Sequence, residues 1–270
     1  MSESLDLAVF QLDNGPDITA NKKNIASLLA STDTTETDLW VFPECALFRN
    51  RMQDDFKAFS ATDSIIPWFQ DLAIQHDKWI VVGSYFRLDV HKAKPFNTCV
   101  VIDPTGKRVC MYDKIHLFDV NLPTTTFSES DSFSSGTQPV TVDIKGFKIG
   151  LSICFDLRFP ELYRHYADCG CDGVLIPSSF TQQTGKRHWH ALCQARAIEN
   201  QYYVIAPNQC GIGANQADTY GHSLVVDPFG SILCEGSEDK HEILQCTISK
   251  TIIKRTRQQF PLLNARKLKL

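Results

Sequence analysis

Short runs of consecutive apolar residues recur along the chain, and stretches with helical spacing separate several of them. Runs with the length and composition of buried strands lie at 5–12, 38–42, 79–86, 98–102, 147–153, 172–177 and 202–207. Apolar residues at helical spacing predict helices at 21–30, 65–75, 159–167 and 188–200. Strands that alternate with helices in this way are typical of layered α/β proteins.

Two segments of the chain resemble each other, VVIDPTGKRV at 100–109 and LVVDPFGSIL at 224–233. In each, an apolar run is followed by Asp-Pro-x-Gly, which places Asp, Pro and Gly at positions i, i+1 and i+3 of a type I turn. Each segment therefore predicts a β-hairpin. Because the hairpins lie in corresponding halves of the chain, they favour a sandwich with an internal pseudo-repeat.

Composition and charge narrow the class of protein. Apolar residues make up 43% and charged residues 21% of the 270 residues, which is typical of a soluble globular protein, and we expect a single domain over 1–270. A net charge of −4 gives no basic surface for nucleic acid or for anionic membranes. The N-terminal apolar run 5–12 is too short for a signal peptide or a membrane span, so we expect a cytoplasmic protein.

Ten cysteines occur without a CxxC pair. We expect free thiols rather than a disulfide framework, and the CxC of Cys169 and Cys171 is a poor metal signature, so no metal site is predicted. The polar segment 121–138 is predicted to be a long loop, of the kind that often forms lids, with Glu129 and Asp131 as its acidic residues. The basic tail from Lys250 is predicted to be solvated or to contact another subunit.

Cys154 lies between a predicted strand, 148–153, and the helix predicted at 159–167. Unsatisfied N–H groups at the start of a helix stabilise a thiolate, so this position predicts a lowered thiol pKa and a reactive cysteine. A buried structural thiol is the alternative. The usual base for a thiol is histidine, but His116, His165, His188 and His190 lack a distinctive signature, so a cysteine–histidine arrangement remains open without support.

A carboxylate and a lysine offer a second kind of partner for this cysteine. Glu44 comes directly after the buried strand at 38–42, and Lys114 comes after the second strand of the first hairpin. Both side chains are predicted to lie at one rim of a sheet, although each taken singly is more often a solvated charge at the end of a strand.

Three motifs now resemble the nitrilase superfamily of carbon-nitrogen hydrolases. They are F-P-E in VFPECAL, Y-x-K-x-H-L-F in YDKIHLF, and ICFDLRFPEL, and they occur in the order that this superfamily has. The stretches HWHALCQARAIENQYYVIAPNQCG and YGHSLVVDPFG extend the resemblance over nearly the whole chain. On these motifs the sequence is identified as a member of the superfamily.

The resemblance implies an α/β fold, the four-layer α-β-β-α sandwich, and an amidase that needs no metal or organic cofactor. It places the nucleophile at Cys154, the general base at Glu44 and the electrophilic lysine at Lys114, with Glu129 as a second structural or catalytic glutamate. The backbone N–H of Phe155 would bind the oxyanion together with the lysine. Superfamily members pair through helices, so a homodimer or a higher homo-oligomer is expected.

Arg158 and Thr181 match positions used for substrate contacts in the branch that acts on small dicarboxylate monoamides. Within the superfamily the sequence is most similar to the deaminated-glutathione amidases, with the ω-amidases as the alternative; both hydrolyse the γ-amide of a small α-keto acid. A non-catalytic interaction protein would be expected to lose Glu44, Lys114 or Cys154, and all three are present.

Overall fold

Strands and helices alternate along the part of the chain that the structure describes, residues 3–50, 57–60, 63–121, 126–213 and 216–268 of a computed structural model. The first elements are β1 (Ser4–Gln11), α1 (Ile18–Ser31), β2 (Leu39–Val41), α2 (Ile65–His76), β3 (Trp79–Arg87), β4 (Phe96–Ile102) and β5 (Arg108–Asp113). They are followed by β6 (Asp119–Asn121), β7 (Thr126–Ser128), β8 (Thr141–Ile144), β9 (Phe147–Leu151), α3 (Pro160–Asp168), β10 (Gly173–Leu175), α4 (Gln182–Asn200) and β11 (Tyr203–Ala206). The last are β12 (Leu224–Val226), β13 (Ile232–Glu235), β14 (Glu242–Ser249), α5 (Lys250–Gln259) and α6 (Leu262–Ala265).

The predicted strands and helices are all present, so the hydrophobic pattern located them correctly. Their ends follow local chemistry: the Asp17 carboxylate caps α1 by accepting the N–H groups of Thr19 and Ala20, and Pro160 occupies the first turn of α3. The helix α4 begins at Gln182, six residues before the predicted start at 188. The prediction missed these residues because the first turns of the helix are polar and show no apolar spacing.

Two six-stranded sheets have the same topology. One has the order β14-β1-β2-β3-β4-β5 and the other β8-β9-β10-β11-β12-β13. In each sheet three central strands are parallel and the remaining strands are antiparallel. The two DPxG hairpins, β4–β5 and β12–β13, occupy equivalent places, which confirms the predicted pseudo-repeat.

The DPxG turns form as predicted in both sheets. The N–H of Gly106 donates to the carbonyl of Asp103 at 2.9 Å, and the N–H of Gly230 donates to the carbonyl of Asp227 at 3.0 Å. Both glycines have positive φ, and a Cβ on either would approach an isoleucine side chain of a covering helix to 2.7 Å. The positive φ therefore favours glycine at both turns, whereas the close contact involves the end of an exposed isoleucine side chain, which can move.

The sheets pack face to face, with helices on their outer faces. Val9 of β1 lies in the same buried cluster as Ile149 of β9, whereas Phe10 points the other way and clusters with Phe69 of α2. On the second sheet α4 packs on β11 and β12, and Tyr166 of α3 covers β9. This is the predicted four-layer α-β-β-α sandwich. Within the described ranges, none of the helices has the length and apolar character needed to cross a bilayer.

Two regions differ from the sequence predictions. The segment 121–138 is predicted to be a long loop of the kind that often forms lids, but β6 and β7 pair in a small hairpin, and a 3₁₀ turn at Glu129–Asp131 follows; residues 122–125 lie outside the described residues. The tail from Lys250 begins with α5, which buries Ile253 and ties Arg257 to the carbonyls of Gln201 and Cys171, so this part is packed rather than solvated. Contact of the tail with another subunit stays a prediction. The tail has few apolar residues among many basic ones, so the sequence shows no apolar pattern that would predict a packed helix.

Candidate active site

Three side chains that lie far apart in the sequence meet at one edge of the two sheets. Glu44 follows β2, Lys114 follows β5, and Cys154 follows β9. The carboxyl ends of parallel strands are where α/β sheets form their crevices, and Glu44 and Cys154 lie just beyond such ends. Lys114 follows β5, which two antiparallel pairings bring back to the direction of β3. Their exposed fractions are only 5%, 2% and 9%, so the cluster is buried.

The Glu44 carboxylate is held by donors on both of its oxygens. Oε1 accepts hydrogen bonds from Asn97 Nδ2 at 2.9 Å and from Lys114 Nζ at 3.1 Å. Oε2 accepts the backbone N–H of Ser179 at 2.9 Å. Since Ser179 follows β10 of the second sheet, Glu44 bridges the two sheets and its orientation is fixed by both.

The Lys114 ammonium contacts a second carboxylate, that of Glu129 in the 3₁₀ turn. Lys114 Nζ lies 2.9 Å from Oε2 and 3.1 Å from Oε1 of Glu129, and Oε2 also accepts the N–H of Phe118 at 2.7 Å. Burial alone would lower the pKa of Lys114, but the negative charges of Glu129 and Glu44 outweigh it and raise that pKa well above its usual value. The lysine is therefore a permanent cation at neutral pH.

The backbone of Cys154 is held in an uncommon conformation. Its φ is +46°, in the left-handed region that residues other than glycine rarely occupy, and its N–H donates to the carbonyl of Pro177 at 2.9 Å. A sharp strand-to-turn junction of this kind presents a nucleophile in hydrolases, where the strain is part of the design.

The prediction of a lowered Cys154 pKa is wrong. Burial, and then the negative charge of Glu44, raise the pKa of the Cys154 thiol well above its usual value, and the opposing effects of Lys114 and of the Ser179 N–H are smaller. The cysteine opens a 3₁₀ turn of five residues, and α3 begins only at Pro160, so no long helix dipole acts on the sulfur. The resting group is a neutral thiol beside a carboxylate.

Asp156 is a buried residue of this site that the sequence analysis missed. Its Oδ2 accepts the Tyr112 hydroxyl at 2.7 Å and the Ile153 N–H at 2.9 Å, and its Oδ1 accepts the His116 N–H at 2.9 Å and faces His116 Nδ1 at 2.7 Å. The carboxylate thereby ties the turn that carries Cys154 to the end of β5. ICFDL contains this signal as an aspartate at the third position of a turn, where it caps the preceding backbone N–H.

Arg158 lies at the end of the same turn. Its Nη1 lies 3.0 Å from Nδ1 of His188, and its guanidinium lies 4.9 Å from the ring centroid of Phe180 and 5.6 Å from that of Phe155. Burial, and then the positive charge of Arg158, lower the pKa of His188, so a neutral imidazole accepts a hydrogen bond from the arginine. The guanidinium is thus held between two rings at the mouth of the site.

The four histidines considered as alternative bases have other partners in the described part of the chain. His116 is bound to Asp156, His188 to Arg158 and His190 to Glu235, while His165 lies 3.4 Å from the sulfur of Cys169. Glu44 lines the same cavity as Cys154, and its negative charge raises the pKa of the Cys154 thiol. The geometry therefore favours the carboxylate over histidine as the partner of the thiol.

A cavity of about 380 Å³ opens onto these groups. Each of the predicted site residues lines it: Glu44, Lys114, Glu129, Cys154, Phe155, Arg158 and Thr181. Thr181 is the residue before α4, and its Oγ1 lies 2.9 Å from Oγ1 of Thr184. Asn97 also lines the cavity and was not predicted; it has no motif of its own and joins Glu44 to Glu129, whose Oε1 it reaches at 3.3 Å. The cavity has room for a small polar substrate.

Comparison with known proteins identifies the family. The carbon-nitrogen hydrolase family profile matches residues 6–258. A deaminated glutathione amidase of Dictyostelium discoideum is 35% identical over 258 residues, 92% of this chain and 89% of that protein. An omega-amidase of Saccharomyces cerevisiae is 34% identical over 278 residues, 99% of this chain and 94% of that protein.

A solved structure gives the same result for the fold. The crystal structure of Saccharomyces cerevisiae Nit3, a member of the nitrilase superfamily, superposes with a TM-score of 0.89 at 31% sequence identity and covers 99% of this chain and 98% of that one. The sandwich, the crevice at the strand ends and the full-length sequence match agree with one another. The chain therefore belongs to the carbon-nitrogen hydrolase family, the hydrolases of carbon–nitrogen amide bonds, and has the nitrilase-superfamily fold.

Proposed function

We propose that the chain is a thiol-dependent amidase that cleaves the γ-amide of deaminated glutathione to 2-oxoglutarate and cysteinylglycine. The observation that carries this function is the buried network in which Glu44 contacts Lys114 and Ser179 in the cavity that Cys154 also lines. It supplies a nucleophile, a base and a cation within one cavity, which amide hydrolysis requires. Relatives that carry the name deaminated glutathione amidase support the substrate.

In the acylation step the sulfur of Cys154 attacks the amide carbon while its proton passes to Glu44. The developing oxyanion is stabilised by Lys114 and by the N–H of Phe155, which lies in the first turn after the nucleophile, where helical N–H groups lack partners. Glu44 then gives the proton to the leaving nitrogen, the C–N bond breaks, and a thioester remains. Glu129 positions Lys114 through the paired contacts at 2.9 and 3.1 Å.

In the deacylation step Glu44 takes a proton from a water molecule, and the water oxygen attacks the thioester carbon. The C–S bond breaks, Glu44 returns this proton to the sulfur of Cys154, and the carboxylic acid product ionises to a carboxylate. Arg158 binds the carboxylate of the α-keto acid with its planar fork, and Thr181 contacts the substrate from the start of α4. No metal or organic cofactor takes part in these steps.

An ω-amidase acting on 2-oxoglutaramate is the second candidate, favoured by the full-length similarity to the yeast omega-amidase. The two substrates share the α-keto acid and the γ-amide, and they differ in the leaving group, cysteinylglycine or ammonia. We therefore assign the same seven residues to both reactions.

The test is the release of 2-oxoglutarate by the purified protein from each of the two substrates. Cys154→Ala serves as the blank, and Cys110→Ala, which removes a partly buried thiol on β5, serves as the matched control. A higher kcat/KM for deaminated glutathione supports the first activity, and a higher value for 2-oxoglutaramate supports the second. Turnover that persists in Cys154→Ala would overturn the mechanism.

The proposed enzyme is a single domain over 1–270 that works in the cytoplasm as a homodimer or a higher homo-oligomer. The ten cysteines are free, which supports a reducing compartment. The dimer rests on the resemblance to superfamily members that pair through helices. Light scattering of the purified protein tests it, and a monomeric mass would contradict it.

A further inference from the structure

Outside the cavity, three side chains from separate elements converge. His190 lies on α4, His222 on the connection between β11 and β12, and Glu235 at the end of β13. His190 Nε2 lies 2.9 Å from Glu235 Oε1, and His222 Nδ1 lies 2.8 Å from the same oxygen. Among the residues that the structure describes, these three side chains form the group of potential metal ligands whose ligand atoms all lie within 4.8 Å of one another.

We propose that this cluster is a binding site for a zinc ion or a similar divalent transition metal ion, separate from the catalytic centre. Two imidazole nitrogens and one carboxylate oxygen are a common set of zinc ligands. Ligand atoms about 2.0–2.1 Å from a tetrahedral ion are about 3.3–3.4 Å apart. The two histidine–carboxylate contacts, at 2.9 and 2.8 Å, are shorter than that separation, and all three ligand atoms lie within 4.8 Å of one another, so side-chain rotations can bring them to tetrahedral spacing.

The backbone around His222 is fixed before any ion binds. Its N–H donates to the carbonyl of Ser237 at 3.0 Å, and its carbonyl accepts the indole N–H of Trp189 at 2.7 Å. His222 also has a φ of +50°, which residues other than glycine rarely adopt. Since Trp189 precedes His190 on α4, the hydrogen bond from Trp189 couples the positions of the two histidines directly, and the site is preorganised.

Binding leaves the number of protons unchanged when both imidazoles are neutral. Each ring nitrogen that now donates its hydrogen to Glu235 must offer a lone pair to the ion, so each ring carries its proton on the other nitrogen in the bound form. The side chains of His190, His222 and Glu235 are 30%, 24% and 35% exposed. The cluster is therefore open to solvent, which gives the ion an entry path and provides water as the remaining ligand.

The test is titration of the purified, metal-free protein with Co²⁺, whose visible spectrum reports the ligand set, followed by competition with Zn²⁺. We expect one equivalent of Co²⁺ per chain, a spectrum without a thiolate-to-metal charge-transfer band, and displacement by Zn²⁺. His190→Gln and Glu235→Gln should each weaken binding at least about tenfold. Their amidase activity, measured on the same samples without metal, should equal that of the unmodified protein and shows that they are folded.

His165→Gln is the matched control, because it removes another α-helical histidine that has a potential ligand, Cys169, beside it. It should leave Co²⁺ binding unchanged. Cys234→Ser removes one thiol of the contacting pair Cys234 and Cys246, which is the competing site for a soft ion, and it should also bind normally. Three outcomes would overturn the assignment. One is a charge-transfer band that disappears in Cys234→Ser, and another is unchanged Co²⁺ binding by His190→Gln. The third is the absence of Co²⁺ binding by the wild-type protein at millimolar Co²⁺.

Discussion

Lys114 Nζ lies 3.1 Å from Glu44 Oε1 in a largely buried site, and the same ammonium lies 2.9 Å from Glu129 Oε2. One cation therefore serves two carboxylates, and the three groups together keep a negative charge next to the cysteine. That charge and burial both favour the neutral thiol. On the proposed mechanism, the thiol is activated by proton transfer to Glu44 during attack rather than by a thiolate formed in advance.

The first prediction concerns the reactivity of Cys154 as a function of pH. Because its pKa is raised, the thiolate fraction at neutral pH is small and grows about tenfold per pH unit. The rate of alkylation by iodoacetamide at Cys154 should rise continuously from pH 6 to pH 9. The rate is measured by mass spectrometry of the Cys154 peptide. A plateau below pH 7 would show a thiolate in the resting enzyme and contradict the expectation.

Removal of the Lys114 ammonium should reduce turnover strongly. Loss of one oxyanion donor typically costs about 2.7–4 kcal/mol in the barrier, so kcat of Lys114→Ala should fall by a factor of about 10²–10³. Lys107→Ala, which changes an exposed lysine in the first DPxG turn, should retain wild-type kcat. The kcat of both variants is measured by steady-state kinetics. A decrease of less than about threefold in the kcat of Lys114→Ala would contradict a role of the lysine in the mechanism.

Asp156 should be important for stability. Its replacement by alanine leaves buried donors, among them the Tyr112 hydroxyl and the Ile153 N–H, without their acceptor, at about 1–3 kcal/mol each. A total near 3 kcal/mol corresponds to a fall in Tm of about 6–12 °C in a chain of this size. Calorimetry of Asp156→Ala should show this fall, whereas Asp71→Ala, on the exposed face of α2, should change Tm little. An unchanged Tm for Asp156→Ala would mean that water replaces the lost contacts.

Arg158 should determine affinity for the substrate carboxylate. Arg158→Gln removes a charge-assisted hydrogen bond worth about 1.5–3 kcal/mol, so KM should rise by a factor of about 10–100 while kcat changes less. The control is Arg187→Gln, an exposed arginine of α4. A substrate analogue whose α-carboxylate is esterified should be turned over equally by wild type and Arg158→Gln. The preference for the free acid is its kcat/KM divided by that of the ester. If this ratio is as large in Arg158→Gln as in the wild type, another group binds the carboxylate.

Part of this site could be predicted from the sequence because its residues lie just beyond apolar runs. Glu44 and Cys154 each follow a parallel strand that the hydrophobic pattern located, and Lys114 follows the second strand of a hairpin that the DPxG turn located. Asn97 carries no signal of its own, and the turn position of Asp156 indicates a capping residue but not its contacts with Tyr112 and His116. Ser179 contributes only its backbone N–H, which its residue type does not reveal.

The raised pKa of Cys154 shows the limit of local reasoning. Position between a strand and a helix predicted a stabilised thiolate, but Glu44 lies 110 residues away in the sequence and adds its charge only after folding. The same holds for the basic tail, whose helix α5 is recognisable once Ile253 and Arg257 meet the surface that β14 and Gln201 provide.

The sequence by itself determined the alternation of strands and helices, the two DPxG hairpins and the family, because these depend on periodicity, turn chemistry and motifs over short stretches. The tertiary structure decided the protonation state of the thiol, the partners of Lys114, the histidine that orients Arg158 and the cluster of His190, His222 and Glu235. Those features depend on distances between side chains from different elements, and electrostatic and coordination energies change steeply with such distances.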